Sequence, residues 1–538
     1  MKTSRLNRLD LHTDLVAHAA EMQHPDKHLS RLIATPDRLG SFSRSGAGLF
    51  FDYSRQRLEQ RTLDLLLRAA AQLELRQRFE RMCLGEKINV TENRAVLHTA
   101  TRTPESERIV LDGRDVVREL AQVRKAIATF TAQVHDGTLT GSTNKPFRHV
   151  VVVGIGGSYL GTEFAATALA SGSTPKLQLH YLSNVDIHNF GDIAAEIDPE
   201  TTLWVVISKS YTTAETMANV RQAEQFMRAK GLDPSRHTVT VTAEGSPGDN
   251  PDHPVLGTFH MYDFIGGRYS VTSAVGGVPL SLCFGYNRYT QLLDGAAQMD
   301  RHARQAADAD NLPLLAALIS IWNTTYMGYQ QHAIIPYAAP LRKLSPHVQQ
   351  LNMESNGKAA DLGGALLPEP AGTVIFGEPG TNAQHSFFQS AHQGRPFPID
   401  FIGVRHPNYR QYTSRSRGVT NHQELWVNMI AQARALAVGQ PSNDKARHFS
   451  GNRPCSCIVL DDLSPANIGR LLAFYEACTV YEGFLWGINS FDQFGVQLGK
   501  SLASGLRDQV ARRNQDPAYT FEGIDDISAA YLEMMFKA

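Results

Sequence analysis

The sequence predicts an α/β protein built from two parallel-sheet units, spanning about 121–290 and 310–510. Three observations predict it. From Arg148 onward, short apolar runs of strand length alternate with helical patterns. The alternation gives way to a helical stretch up to about Tyr329 and then restarts. Polar and glycine-rich clusters follow the ends of the runs, where ligands sit in parallel sheets covered by helices on both faces.

Residues 1 to about 120 read as mostly helical, with periodic apolar positions over Leu58–Leu75 and a turn at Gly46-Ala47-Gly48. The polar, irregular stretch from Gly85 to His98 reads as a surface or interface segment. In the first unit the expected strands are Val150–Val153, Leu177–Leu182, Leu203–Ile207 and Thr238–Thr242. Helices are expected up to Ala170 and from Ala214 to about Lys230. Leu203-Trp204-Val205-Val206-Ile207 is apolar throughout, as in a strand buried on both faces. In the second unit the expected strands are Ala333–Ile335, Thr373–Phe376, Ile399–Val404 and Cys457–Leu460. Helical patterns fill the gaps at Leu341–Asn356, Gln384–Gln393, His422–Val438 and Ala466–Leu502, and Asn408–Gly418 reads as a polar loop.

A chain of 538 residues is too long for one core. Its net charge of −1 speaks against a polyanion-binding surface, so no nucleic-acid partner is expected and any phosphate site must be local. The five cysteines, Cys83, Cys283, Cys455, Cys457 and Cys478, form no disulfide framework. Cys455-x-Cys457 lacks a second Cys/His pair at zinc spacing, so no metal is expected. They read as reduced thiols of a cytoplasmic protein. The charged segment Met1–His12 has no apolar stretch of signal-peptide type, and no run is long enough to span a bilayer, so no membrane association is expected.

Chemistry concentrates at a few places. After Ile207 the chain breaks into Ser208-Lys209-Ser210-Tyr211-Thr212-Thr213, and a helix opens at Ala214. Hydroxyls and free backbone N–H groups at a helix N-terminus suit a phosphate. The same residues also suit a plain turn closed by a Thr212–Glu215 capping box. Gly154-x-Gly156-Gly157 resembles a dinucleotide loop, but Tyr159 stands where the third Gly belongs, and Asp186 lies too far on to hold a ribose. Ser158 equally suits a second phosphate cradle. In Ile265-Gly266-Gly267-Arg268-Tyr269-Ser270 the paired glycines permit close approach, Arg268 offers a rigid cationic fork, and Ser270 is placed to cap the next helix. Gln350 to Lys358 closes a helix, where Glu354 and Lys358 also have the spacing of an exposed pair ahead of an Asn356-Gly357 cap. His385 sits in a strand–loop–helix segment and is open to a structural role. Gln493 and Lys500 would share one face of a helix, which alone reads as a solvated stripe.

Taken together these segments closely resemble the phosphoglucose isomerase (glucose-6-phosphate isomerase) family. The resemblance runs from Gly85-Glu86-Lys87-Ile88-Asn89 to Lys500. It is most specific at Gly154–Ser158, Ser208–Thr216, Ile265–Ser270, Met353–Lys358, Gly380–His385 and Phe491–Val496. It implies two α/β/α sandwich sugar-isomerase domains, the first binding phosphate and the second carrying the catalytic base, His and Lys. A helical N-terminal segment over 1–120 would pack on the second sandwich, and 511–538 would form a C-terminal helical arm. It further implies a homodimer with shared active sites and no metal or redox cofactor. The implied reaction is reversible conversion of glucose 6-phosphate to fructose 6-phosphate through an enediolate, within glycolysis and gluconeogenesis.

The resemblance also assigns roles. Ser158, Ser208, Ser210 and Thr213 hydroxyls, with the Gly157 and Lys209 backbone N–H groups, would anchor the phosphate. His385, helped by Lys500 and oriented by Glu215, would open the ring. Glu354 matches the base, Arg268 would steady the enediolate, and Gly267, Gln350 and Gln493 match substrate-contacting positions. Two departures stand out: Ser210 replaces a Thr, and Gln497 replaces a Glu, removing a carboxylate three residues before Lys500. The alternatives are a non-catalytic sugar-phosphate sensor and an isomerase that also accepts mannose 6-phosphate.

Overall fold

The N-terminal segment is helical but also carries a hairpin that its composition did not announce. Ser43–Gly46 (β1) and Leu49–Arg55 (β2) pair antiparallel around Gly48, whose φ of +80° suits a residue without Cβ. Helix Gln60–Gln72 (α1) follows, matching the periodic stretch. The computed structural model describes residues 5–537, which fall into two compact units dividing between Ser490 and Phe491. Gly85–His98, read as a surface or interface segment, is at the surface in part: Lys87 and Val90 to Asn93 are exposed, whereas Asn89, Ala95, Val96, Leu97 and His98 are buried.

The first sheet has five parallel strands: His149–Val153 (β3), Gln178–Leu182 (β4), Thr202–Ile207 (β5), Thr238–Ala243 (β6) and Gly257–Met261 (β7). Their order is β4-β3-β5-β6-β7. The chain therefore steps to one side of β3, then returns to lay β5 on its other side. Such a reversal opens a crevice at the strands' carboxyl ends, where ligands bind in open α/β sheets. Helices Leu160–Ala170 (α2) and Ala214–Ala229 (α3) flank it, and Val151, Trp204, Val220 and Met227 join one buried cluster. The edge strand β7 was missed because Gly257 and His260 break the apolar run.

The second sheet contains Gln331–Pro336 (β8), Val374–Phe376 (β9), Ile399–Val404 (β10) and Cys455–Leu460 (β11). These four run parallel, and the N-terminal hairpin extends the sheet antiparallel through β2 on β11, giving the order β1-β2-β11-β10-β8-β9. Helix Leu344–Asn356 (α4) packs on β9 and β8, and Pro465–Trp486 (α5) is buried along most of its length. The loop 408–418 holds a short 3-10 turn at Arg410–Tyr412 and part of a two-residue hairpin, Arg415–Ser416 with Val419–Thr420.

The expected helix Ala466–Leu502 is broken. Gly487, at φ +69°, closes α5 in the left-handed conformation, and the chain becomes helical again only at Gly495–Gln515 (α6). Gln493 thus precedes the helix, and the expected common face with Lys500 does not form. The second unit comprises α6 and Asp526–Phe536 (α7), joined by an Arg513–Glu533 ion pair at 3.1 Å.

Candidate active site

The site grows from the carboxyl ends of β3 and β5. After β3, Gly156 takes φ +58° and Gly157 presses against the second glycine pair. A Cβ at Gly157 would lie 2.3 Å from the Gly267 carbonyl carbon and 2.6 Å from the Arg268 nitrogen, so both loops require a bare backbone here. Ser270 does not cap the next helix, which Ser273 caps; its hydroxyl instead donates to the Gly267 and Gly157 carbonyls and ties the loops together.

After β5, Ser208 is 4% exposed and its hydroxyl has no hydrogen-bond partner among the described residues. A buried polar group left unpaired is costly, so this hydroxyl has an open hydrogen bond to give. Tyr211 takes φ +52°, and Ser210 and Thr212 share a hydroxyl–hydroxyl bond of 2.7 Å. The alternative, a Thr212–Glu215 capping box, is absent: Thr213 occupies the N-cap of α3 without a side-chain cap bond, leaving Glu215 half-buried in the first turn. Thr212 is instead engaged by Ser210. The Lys209 side chain is engaged elsewhere, its Nζ donating to the Asp263 carbonyl at 3.2 Å and facing the Asp263 carboxylate at 3.3 Å. Burial lowers its ammonium pKa, and Asp263 offsets part of that.

Opposite stands α4. Arg268 is buried, and its guanidinium reaches both sides of the site: Nε donates to Ser355 Oγ at 2.7 Å, Nη2 to the Ser490 carbonyl at 2.7 Å, and Nη1 faces Glu354 Oε1 at 3.3 Å. Gln350, one turn earlier on α4, donates from Nε2 to the other Glu354 oxygen at 2.8 Å. A Cβ on Gly156 would come within 3.3 Å of that same Gln350 nitrogen, so the glycine loop of the first sheet borders the carboxylate on the second. The Glu354–Lys358 pair does not form as expected. Lys358 Nζ donates to the Glu354 main-chain carbonyl at 2.9 Å, leaving the carboxylate to Arg268 and Gln350. Gly357 is not a left-handed cap either, with φ −71°.

His385 ends a 3-10 turn, Asn382–His385, after β9; it is exposed and makes no hydrogen bond among the described residues. Lys500, Gln497 and Gln493 belong to the second unit and are all exposed. Asp186 is accounted for as an N-cap, accepting from the His188 N–H at 3.0 Å. Sequence reasoning missed Ser355, Ser490 and Tyr269, whose hydroxyl meets Ser355 at 3.0 Å. All three lie within or beside the family motifs, but spacing alone gave them no task. Among the described residues no cluster of His, Cys, Asp and Glu could hold a metal ion, and no helix is long and apolar enough to cross a membrane.

Two parallel α/β sheets, with a hydroxyl-rich strand end on one and an Arg-bound carboxylate on the other, define a two-sandwich protein of the sugar-isomerase fold. The phosphoglucose isomerase profile matches residues 52–522, and the chain belongs to that family. It is 59% identical over 539 residues to a glucose-6-phosphate isomerase of Desulfosudis oleivorans, covering 99% of each chain. To a cytosolic glucose-6-phosphate isomerase of Zea mays it is 43% identical over 519 residues, covering 92% of this chain and 90% of that one. The crystal structure of a glucose-6-phosphate isomerase from Chlamydia trachomatis superposes with a TM-score of 0.90 at 35% identity, over 99% of this chain and 100% of the other.

Proposed function

We propose that this protein interconverts D-glucose 6-phosphate and D-fructose 6-phosphate as an aldose–ketose isomerase of glycolysis and gluconeogenesis. One observation carries the reading: the Glu354 carboxylate is held between Arg268 and Gln350 and borders the glycine loop of the first sheet. The phosphate is anchored by the hydroxyls of Ser158, Ser208, Ser210 and Thr213 and by the Gly157 and Lys209 N–H groups, with Gly267 keeping the loop close. Ring opening, in which the ring oxygen gains a proton and the anomeric hydroxyl loses one, falls to His385 with help from Lys500, and Glu215 orients the imidazole. Glu354 then removes the C2 proton and returns it at C1. Arg268 supplies fixed positive charge where the enediolate oxygens develop negative charge. Gln350 and Gln493 contact the substrate.

A further assignment is a homodimer in which each His385, exposed and so available to a second subunit, serves the partner's site; a cytoplasmic location is assigned by likeness to the cytosolic relative of Zea mays. The function is tested by assaying purified protein on glucose 6-phosphate and mannose 6-phosphate with EDTA present throughout. Turnover of glucose 6-phosphate undiminished by EDTA is expected, and its absence overturns the reading.

A further inference from the structure

Helix α4 is gripped on the side away from its functional face. Asn352 and Asn356 lie two residues beyond Gln350 and Glu354 respectively, about 200° round the helix at ~100° per residue. Both Asn side chains donate from Nδ2 to one oxygen, Glu482 Oε2 on α5, at 2.5 and 3.0 Å. All three residues are buried: Asn352 is 5% exposed, Asn356 0% and Glu482 3%. The chain of contacts continues toward the site. Ser490 Oγ donates to Asn356 Oδ1 at 2.7 Å, and the Ser490 carbonyl accepts from Arg268 Nη2. Arg268 in turn faces Glu354.

We infer that Glu482 is a positioning residue for the isomerisation, its Oε2 serving as the shared acceptor that sets the rotation of α4 and so aims Glu354 and Arg268 together. The inference rests on Glu354 being the base. A small chamber beside the clamp fits this role. A cavity of about 30 Å³ lies against Asn352, Glu482, Asn323 and Tyr475, and Asn352 Oδ1 and Asn323 Oδ1 have no hydrogen-bond partner among the described residues. That volume has room for about two waters, which would complete those bonds. Burial raises the Glu482 carboxyl pKa, while bonds from Ser320 and Asn352 act to lower it. What the clamp needs from position 482 is an acceptor oxygen, which a carboxamide also supplies.

The test compares Glu482→Met, which keeps length and removes the acceptor, with Glu482→Gln, which keeps it. A misaimed base should lower kcat of Glu482→Met roughly tenfold to hundredfold. Its KM should stay within roughly threefold, because the phosphate cradle lies on the other sheet. Glu482→Gln should restore kcat to within a few-fold of the parent. Parental kcat in Glu482→Met overturns the inference, as does an equal fall in both variants, which would assign the role to charge. Should Glu482→Met fail to fold, Asn352→Leu removes one arm of the clamp, and unchanged kcat there is equally fatal. Full activity in Glu354→Gln would instead overturn the reading of the base, so the two failures are distinguishable.

Discussion

Arg268 Nη1 lies 3.3 Å from Glu354 Oε1, a guanidinium from the first sheet's glycine loop against a carboxylate on a helix of the second. Both side chains are largely withdrawn from water, at 2% and 17% exposure. The second Glu354 oxygen is taken by Gln350, so the carboxylate is fixed in rotation as well as position. A base that must address two adjacent carbons gains from that fixity.

Glu354→Gln keeps the shape of the side chain and loses the base. Isomerisation should fall by roughly a hundredfold to ten-thousandfold. Binding of sugar phosphate, read by calorimetry, should stay within a few-fold. Near-normal turnover would remove Glu354 from the role.

Ser208→Ala with Thr213→Ala should weaken binding of both substrates and of inorganic phosphate. Each hydrogen bond lost to a charged phosphate is worth about 1.5–3 kcal/mol. Phosphate inhibition constants measure it directly. Unchanged inhibition would refute the cradle, and a fall in turnover alone would assign the loop to chemistry.

Gly157→Ala introduces a methyl 2.3 Å from the Gly267 carbonyl carbon, against backbone that cannot swing aside. The two glycine loops must part, so phosphate affinity and melting temperature should both drop. Overpacking of this kind typically costs about 1–3 kcal/mol. An unaltered melting temperature would mean that the loops are free to separate.

A two-fold dimer with composite sites makes a prediction that no single-chain site shares. Homodimers of Glu354→Gln and of His385→Ala are each defective at both sites. In a mixed dimer one site collects both defects and the other neither. Refolding the two proteins together in equal amounts should give about half mixed dimers, returning roughly a quarter of parental activity. No recovery, with mixed dimers verified by differential tagging, would place both residues in one chain.

How much of this was legible in the sequence follows from the range of the interactions. Uninterrupted apolar runs such as Val150–Val153 and Leu203–Ile207 announce doubly covered strands, because each residue's burial is set by strand period and position. The strand, turn and helix start proposed to cradle the phosphate are legible for the same reason, since they lie within a dozen residues. The helix break at Gly487 was harder to read. Glycine is tolerated inside helices, and here only its left-handed φ, packed beside Arg5, ends α5. Thr212 and Glu215 had capping spacing, but the left-handed Tyr211 moves the cap to Thr213 and turns Thr212 toward Ser210.

The sequence by itself determined the α/β class, the strands and turns that carry the hydroxyls, and the family, because those depend on neighbours along the chain. Only the tertiary structure decided that Arg268 binds Ser355 and Ser490 as well as Glu354, that Ser270 joins two glycine loops, and that Glu482 grips α4 from behind. It also decided that an N-terminal hairpin completes the second sheet. These partners are separated by tens to hundreds of residues. Their pairing is set by which buried polar groups meet when the sheets and helices pack, because a buried polar group left without a partner is costly.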